Sequence, residues 1–418
     1  MTRAAPYLTD LDQATLAVLG REWLLHGHLQ DRVGMALVME TADRELMQQI
    51  AIDEWMAASP IYSRRMQRAL RFPGDGVETI CKNLQLDIGA PHEFMDFRFR
   101  IVDAAHAEFW LAHCGALMDV EPMGVEFVHG MCHTIEDPTF DATAAATNPR
   151  AAIRPLHRPP RTPADRVPHC HWRIDITEDA AIVKPHELEA EVAESLAAQL
   201  DVMTPGAPDG PGRADYSGGF DPELRLEDFS RPALVVALDE FALQSHLLLR
   251  ALLTSVDRRL GAERVLAIRP RLVTGWCGLT AQRLKDALAL PQTIEGLATM
   301  LSLHPMFAPR RYVAAAVTVE HGVVRLSFAD GPAAHEGDVY TWFSGLGADT
   351  DASLAQVVAA FDPHALLTRV PPRDGELHAY EVRIDPDRQP LAEAPELGIA
   401  KISTGARFRF GRAFPTSL

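Results

Sequence analysis

Two short stretches gather the side chains most able to bind metal or move protons. In VHGMCHTIED, His129, Cys132 and His133 fall within five residues; in PHCHW, His169, Cys170 and His171 are consecutive. On a helix, His129 and His133 are i,i+4 and share a face. On a strand, His169 and His171 point one way and Cys170 the other. Imidazole nitrogen and thiolate are ligands zinc accepts in mixed sets. The set His129, Cys132, His133, Cys170 and His171 is therefore expected to hold a divalent metal, zinc ahead of iron. Glu126, Glu136, Asp137 and Asp141 are near enough in sequence to add a carboxylate, which with histidines would suit iron. Cys170 and Cys132 could otherwise be buried structural thiols, and the histidines surface residues.

The segment between the clusters is rich in arginine. NPRAAIRPLHRPPRTPADRVPHCHWR carries Arg150, Arg154, Arg158, Arg161, Arg166 and Arg173 against one acid, Asp165. Prolines hold it extended. Guanidinium forks grip carboxylate or phosphate, so this loop is expected to draw in a small anionic or carboxylate-bearing molecule. The competing expectation is that the arginines pair with the protein's own acids.

The elements that would position these groups follow from periodicity. Residues 9–72 read as helices, the first capped by Thr9 or Asp10, then Ala42–Ala57 and Ser63–Leu70. FRFRIVDAAHAEFWLAH reads as a hairpin turning near Asp103–His106, and HWRIDITED as a later strand. Glu187–Met203 reads as an amphipathic helix. Met203–Pro222, crowded with Gly and Pro, reads as a linker. Beyond it Phe241–Leu260 and Leu284–Leu301 are helical, YVAAAVTVEHGVVRLSFAD is a hairpin and LHAYEVRID a strand. The two hairpin-and-strand sets stand in the same order. The expectation is an α+β protein of two domains, 1–202 and 231–418 joined by 203–230, possibly tandem copies of one helix-plus-antiparallel-sheet small-molecule-binding fold, the second degenerate.

Composition narrows the partners. A net charge of −17 over 418 residues repels nucleic acid and anionic membrane as a whole. Eight of seventeen histidines lie between His92 and His171, with three of the five cysteines. An odd cysteine count is no disulfide framework, and the N-terminus lacks an apolar signal core, so a cytoplasmic setting is expected. Homodimerisation is possible for such a chain. His28, alone on a helix, reads as a packing or exposed residue, and Cys277 in TGWCGLT as a buried structural thiol. There is no phosphate-binding loop and no GxSxG elbow.

The order of features resembles the L-2-amino-thiazoline-4-carboxylate hydrolase-like family and the vinyl-reductase-type ligand-binding domain over roughly residues 15–178. The features are a helical start, a hairpin ending in Cys114, then MCHTIED with Asp141 and Asn148–Pro149, then PHCHW. Val167–Pro168–His169 stands where the family has Gly-Asp. The hydrolase resemblance implies cleavage of a C–N or C–S bond in a small, cyclic, carboxylate-bearing substrate. Metal would activate water, Asp141, Glu136 or His169 would move protons, and Arg154, Arg158 and Asn148 would hold the substrate. The other resemblance implies a sensor whose structural zinc, on Cys132, Cys170 and Glu126, sits beside a ligand pocket. A third reading is a non-haem iron oxidoreductase using His129, His133, His169 and a carboxylate.

Overall fold

A computed structural model describes residues 2–411. Strand β1 (Thr2–Ala4) opens the chain. The first half continues with α1 (Gln13–Val38), α2 (Arg44–Ala69), α3 (Val77–Leu84), β2 (Met95–Ile101), β3 (His106–Cys114), α4 (Gly115–Val120) and α5 (Val125–His129). A π-helical stretch, Gly130–Ile135, leads into α6 (Glu136–Ala145); β4 (Ala151–His157), β5 (Cys170–Ile176), α7 (Glu189–Ala193) and α8 (Leu196–Gln199) follow. The second half holds α9 (Arg231–Leu260), α10 (Ala262–Ala287), α11 (Ile294–Ser302), α12 (Arg310–Val313), β6 (Ala315–Glu320), β7 (Val323–Ala329), α13 (Thr350–Phe361), β8 (Ala365–Arg369), β9 (Glu376–Ile384) and α14 (Pro395–Ala400). The class is α+β, with two antiparallel sheets.

Local chemistry sets the boundaries. Asp12, not Thr9 or Asp10, caps α1 by accepting from Thr15 N, the usual role of an Asp before the first turn. The second and third expected helices are one, α2. It runs through Pro60 without ending, because burial of Ala57, Ala58, Ile61 and Tyr62 outweighs the lost hydrogen bond. The expected helix over Glu187–Met203 is instead two short turns, α7 and α8, parted at Ser195, whose hydroxyl caps the second. Leu284–Leu301 likewise divides between α10 and α11.

The two halves repeat one plan. Each has two long helices, a short third helix, a hairpin, a later helix and a second strand pair. The sheet orders match as well, β2-β3-β5-β4 against β6-β7-β9-β8, with β1 added to the outer edge of β6. Sequence follows structure along the first long helices: Glu22-Trp23-Leu24-Leu25-His26-Gly27-His28 answers Glu240-Phe241-Ala242-Leu243-Gln244-Ser245-His246, and Arg32 answers Arg250. Two buried ion pairs mark the same relation. Arg65 of α2 grips Glu240 of α9 through Nε and Nη2, at 2.9 and 3.0 Å. Arg283 of α10 grips Glu22 of α1, at 2.8 and 2.9 Å. Each guanidinium also donates to backbone carbonyls, of Ala198 and Leu200 in one case and Gly405 and Phe408 in the other.

Those pairs cross between halves, so the halves are interlocked. α1 packs on α9 and α10, and α2 packs on α9. One apolar cluster runs from Ala5 to Phe408. The expected linker is a fitted strap. Tyr216, Leu226 and Phe229 are fully buried, the Tyr216 hydroxyl donates to Gln85 Oε1 at 2.6 Å, and Lys82 Nζ donates to the Tyr216 and Gly218 carbonyls. α9 is long and apolar enough to cross a bilayer, but 83% of its apolar window is buried inside the protein; it is a core helix.

Candidate functional site

The sheet separates the residues expected to converge. In β5, Trp172 and Ile174 turn inward with Cys170, while His171 turns outward. Its Nε2 meets Glu108 Oε2 at 3.0 Å, beside Trp110 and His157. His169 precedes the strand. Its Nδ1 accepts from Cys114 N at 3.1 Å, and burial is the main cause of its low pKa, about 4. His129 and His133 do share a helical face, with ring centroids 4.4 Å apart, but His129 is exposed and His133 Nε2 lies 2.7 Å from the Pro159 carbonyl. Glu126 is exposed and pairs with Arg44. Cys132 and Cys170 face the interior instead, where both lie near Glu136 and Cys114.

The mixed thiol–imidazole ligand set is therefore not assembled. Among the described residues no three His, Cys, Asp or Glu side chains are grouped to hold a metal ion. The thiols are buried, and burial pushes Cys114 up to about 12 and Cys132 and Cys170 further.

The arginine loop is consumed by the protein's own acceptors. Arg154 Nη1 holds both oxygens of Asp141 at 2.8 Å, and Asp141 also accepts from Ile153 N. That carboxylate ties α6 to β4. Arg158 pairs with Asp137 at 2.5 Å and donates to the Cys132 carbonyl. Arg161 makes a two-point contact with Glu121, Arg173 pairs with Asp175 and Arg150 donates to the Glu178 and Ala180 carbonyls. Asn148 braces a loop, donating to the Asp75 carbonyl and accepting from Arg150 N. Of the residues proposed from sequence for catalysis or substrate binding, Glu136 lines a cavity.

That cavity and a second one lie side by side between α1, α2 and the π-helical stretch, two lobes that share wall residues. The larger, about 180 Å³, is apolar. Met35 and Met39 come from α1, Met47 and Ala51 from α2, Phe127 and Met131 from the α5–π segment, and Ile399 and Ile402 from the chain's C-terminal segment. The smaller, about 110 Å³, is lined by His28, Trp55, Asp87, Met95, Phe97, Glu136, Thr139 and Phe140 among others. Asp31, Arg32, Met131 and Ile135 belong to both walls. π-Helical turns are rare and recur at functional sites; this one passes between the lobes. Pro138, with no N–H to donate, lies just beyond it in α6.

The polar lobe is short of hydrogen bonds. Among the described residues, both ring nitrogens of His28 lack a partner, as do Asp31 Oδ1, Arg32 Nε, Glu54 Oε2 and Glu136 Oε2. His28 is only 4% exposed and Asp31 6%. Buried polar groups are normally satisfied, and each exception asks for a reason. Burial raises the Glu136 carboxyl to about 8 and, against hydrogen bonds from Gly89 N and Tyr62, Asp87 to about 6. Glu54, behind Asp31, is raised by burial and then by the Asp31 charge. Burial and then Arg32 lower His28, so it is neutral.

The second half supplies an internal comparison. His246, the counterpart of His28, meets the Ala308 carbonyl at 2.8 Å. Arg250, the counterpart of Arg32, pairs with Asp338 at 2.6 Å and Glu336 at 2.9 Å. Asp31 is matched by Leu249. The same framework is sealed in one half and opens onto a cavity in the other.

Sequence reasoning took His28 for a packing or exposed residue and passed over Asp31, Arg32, Glu54 and Asp87. A signal was present: His28-x-x-Asp31-Arg32 sets three polar groups at i, i+3 and i+4 amid a long apolar helix. Compared with known proteins, the chain matches no family model, no curated protein and no solved structure.

Proposed function

We propose that the chain is a small-molecule-binding protein that holds an amphipathic ligand in the two-lobed cavity, with its apolar body among the methionines and its polar end at His28, Asp31 and Glu136. The observation carrying this reading is the row of unpartnered buried polar atoms on the wall of a cavity whose other lobe is almost wholly apolar. Binding sites combine an apolar lining with a few convergent polar groups. Methionine side chains adapt to ligands of varied shape. Such a protein suits sensing or carriage, the second of the readings drawn from sequence, in a cytoplasmic setting. It needs no structural zinc, and the purified protein is expected to carry no stoichiometric zinc or iron on elemental analysis.

The test is titration with the neutral fluorescent probe N-phenyl-1-naphthylamine. One saturable site per chain is expected, and Ala36→Phe, which fills the apolar lobe from half-buried Ala36, should abolish it while circular dichroism stays unchanged. Saturable binding that survives in the folded variant would overturn the reading.

A hydrolytic reading keeps one supporting observation. Glu136 has a free oxygen on the cavity wall and a carboxyl near 8, the condition of a general acid or base near neutral pH. Release of ammonia or thiol from a cyclic amidine or thioether, lost in Glu136→Gln, would favour it; turnover unchanged in that variant would remove it.

A further inference from the structure

The polar lobe gathers more carboxyl groups than cations. Asp31, Asp87 and Glu136 line it, with Glu54 directly behind Asp31. The cation on its wall is Arg32, and Arg32 Nη2 is already spent on Asp31 Oδ2 at 2.5 Å. Arg158, the nearest cation to Glu136 outside the lobe, is paired with Asp137. His28 is too deeply buried to carry charge and offers an acceptor nitrogen. Asp87 receives hydrogen bonds from Tyr62 and Gly89 N, but Asp31 Oδ1, Glu54 Oε2 and Glu136 Oε2 receive none. Acceptors without donors, gathered in a buried space, call for a ligand that donates.

The remaining walls agree. Trp55, Phe97 and Phe140 line the lobe, and aromatic faces attract a cation held near them. A metal would need carboxylates converging at ligand distance, and no such group exists among the described residues. An organic cation spreads its N–H groups over a wider space.

We propose that the polar lobe receives the protonated amine of an amphipathic ligand, the apolar lobe holding its hydrocarbon or aromatic remainder. The class is thus a primary or secondary amine bearing one apolar chain or ring, not the carboxylate-bearing molecule the arginine loop suggested. This rests on the cavity being a ligand site.

Three probes of equal length separate the two ideas: octylamine, 1-octanol and octanoate, each titrated calorimetrically at pH 7 into the full chain. Octylamine is expected to bind about ten-fold or more tightly than 1-octanol, as a charge-assisted hydrogen bond would give, and octanoate more weakly than either. Glu136→Gln and, separately, Asp87→Asn should weaken octylamine binding more than 1-octanol binding and so reduce the octylamine advantage; either effect with folding intact supports the assignment. Octanoate binding as tightly as octylamine overturns it, as does an octylamine advantage untouched by both substitutions. If 1-octanol binds and the amine has no advantage, the amine assignment fails alone. If none of the three binds, the cavity reading falls with it.

Discussion

Glu136 is the residue at which the chemistry of the site is most directly measurable. Its carboxyl titrates near 8 because burial disfavours the ion, against about 4.3 in an unfolded chain. The folded state therefore holds a proton that the unfolded state has lost, and stability falls as pH rises between those values, by at most about 1.4 kcal/mol per unit. Thermal unfolding followed from pH 4 to 9 should show Glu136→Gln losing part of this fall, with the variant gaining on the parent as pH approaches 8. Parallel curves would show that the carboxyl is not buried as described. The cysteines give a second expectation at this scale. All five are buried, so the native protein should leave a thiol reagent such as Ellman's unreacted until denaturant is added. Rapid modification of Cys132 or Cys170 would place them at an accessible site. The chemical residue types were legible in the sequence, but which way each points was not. His169 was expected to share a strand face with His171, but it lies before β5; a strand has two faces, and only packing decides that Cys170 turns inward while His171 meets Glu108. Arg154 looked like a substrate ligand and Asp141 like a general base; their separation in sequence hid that they satisfy each other.

Among the elements, the crossed helix pairs fix how the two halves lock. Arg65 and Glu240 are each 1% exposed on their side chains. Removing Arg65 leaves buried Glu240 facing Arg311 at 3.5 Å without its two-point partner, so Arg65→Leu should destabilise the protein by about 3 kcal/mol in denaturant titration, whereas Arg65→Leu with Glu240→Leu should recover most of the loss. Equal losses in both would mean that the pair itself, not the stranded charge, carries the stability. Gly275 is a second lever. A Cβ there would lie 2.4 Å from the Glu396 carbonyl oxygen of α14, and backbone cannot yield as a flexible side chain does. Gly275→Ala should push α14 from α10, cost about 1–3 kcal/mol, and weaken binding in the apolar lobe, which Ile399 and Ile402 help to close. Unaltered probe affinity would show that the C-terminal segment is no part of the wall. Element types were largely legible: both hairpins and the strand at LHAYEVRID stand where alternation put them. The helix boundaries were less so. Ala42–Ala57 and Ser63–Leu70 were read as two helices and are one, because the packing of α2 outweighs the cost of Pro60 within it.

At the scale of the whole molecule, the repeat was half visible. The strand sets could be aligned from sequence, but the stronger correspondence, Glu22 and His28 with Glu240 and His246, lies in helices whose apolar residues mask it. The Gly/Pro-rich segment read as a boundary between domains. Its composition gave no sign that Tyr216 and Phe229 would be buried, nor that helices from opposite halves would share a core. That interlocking explains why one half can be a sealed copy and still matter: the chain's C-terminal segment closes the cavity on the first half's helices. The central claim is that this cavity takes a ligand. Methyl NMR of protein labelled at its 13 methionines, recorded as 1-octanol is added, tests it most directly. Saturable shifts of Met35, Met39, Met47, Met95, Met123 and Met131, which line the two lobes, with the methionines outside the cavity unmoved, are expected. Shifts confined to other methionines, or none up to the solubility limit of the alcohol, would contradict it.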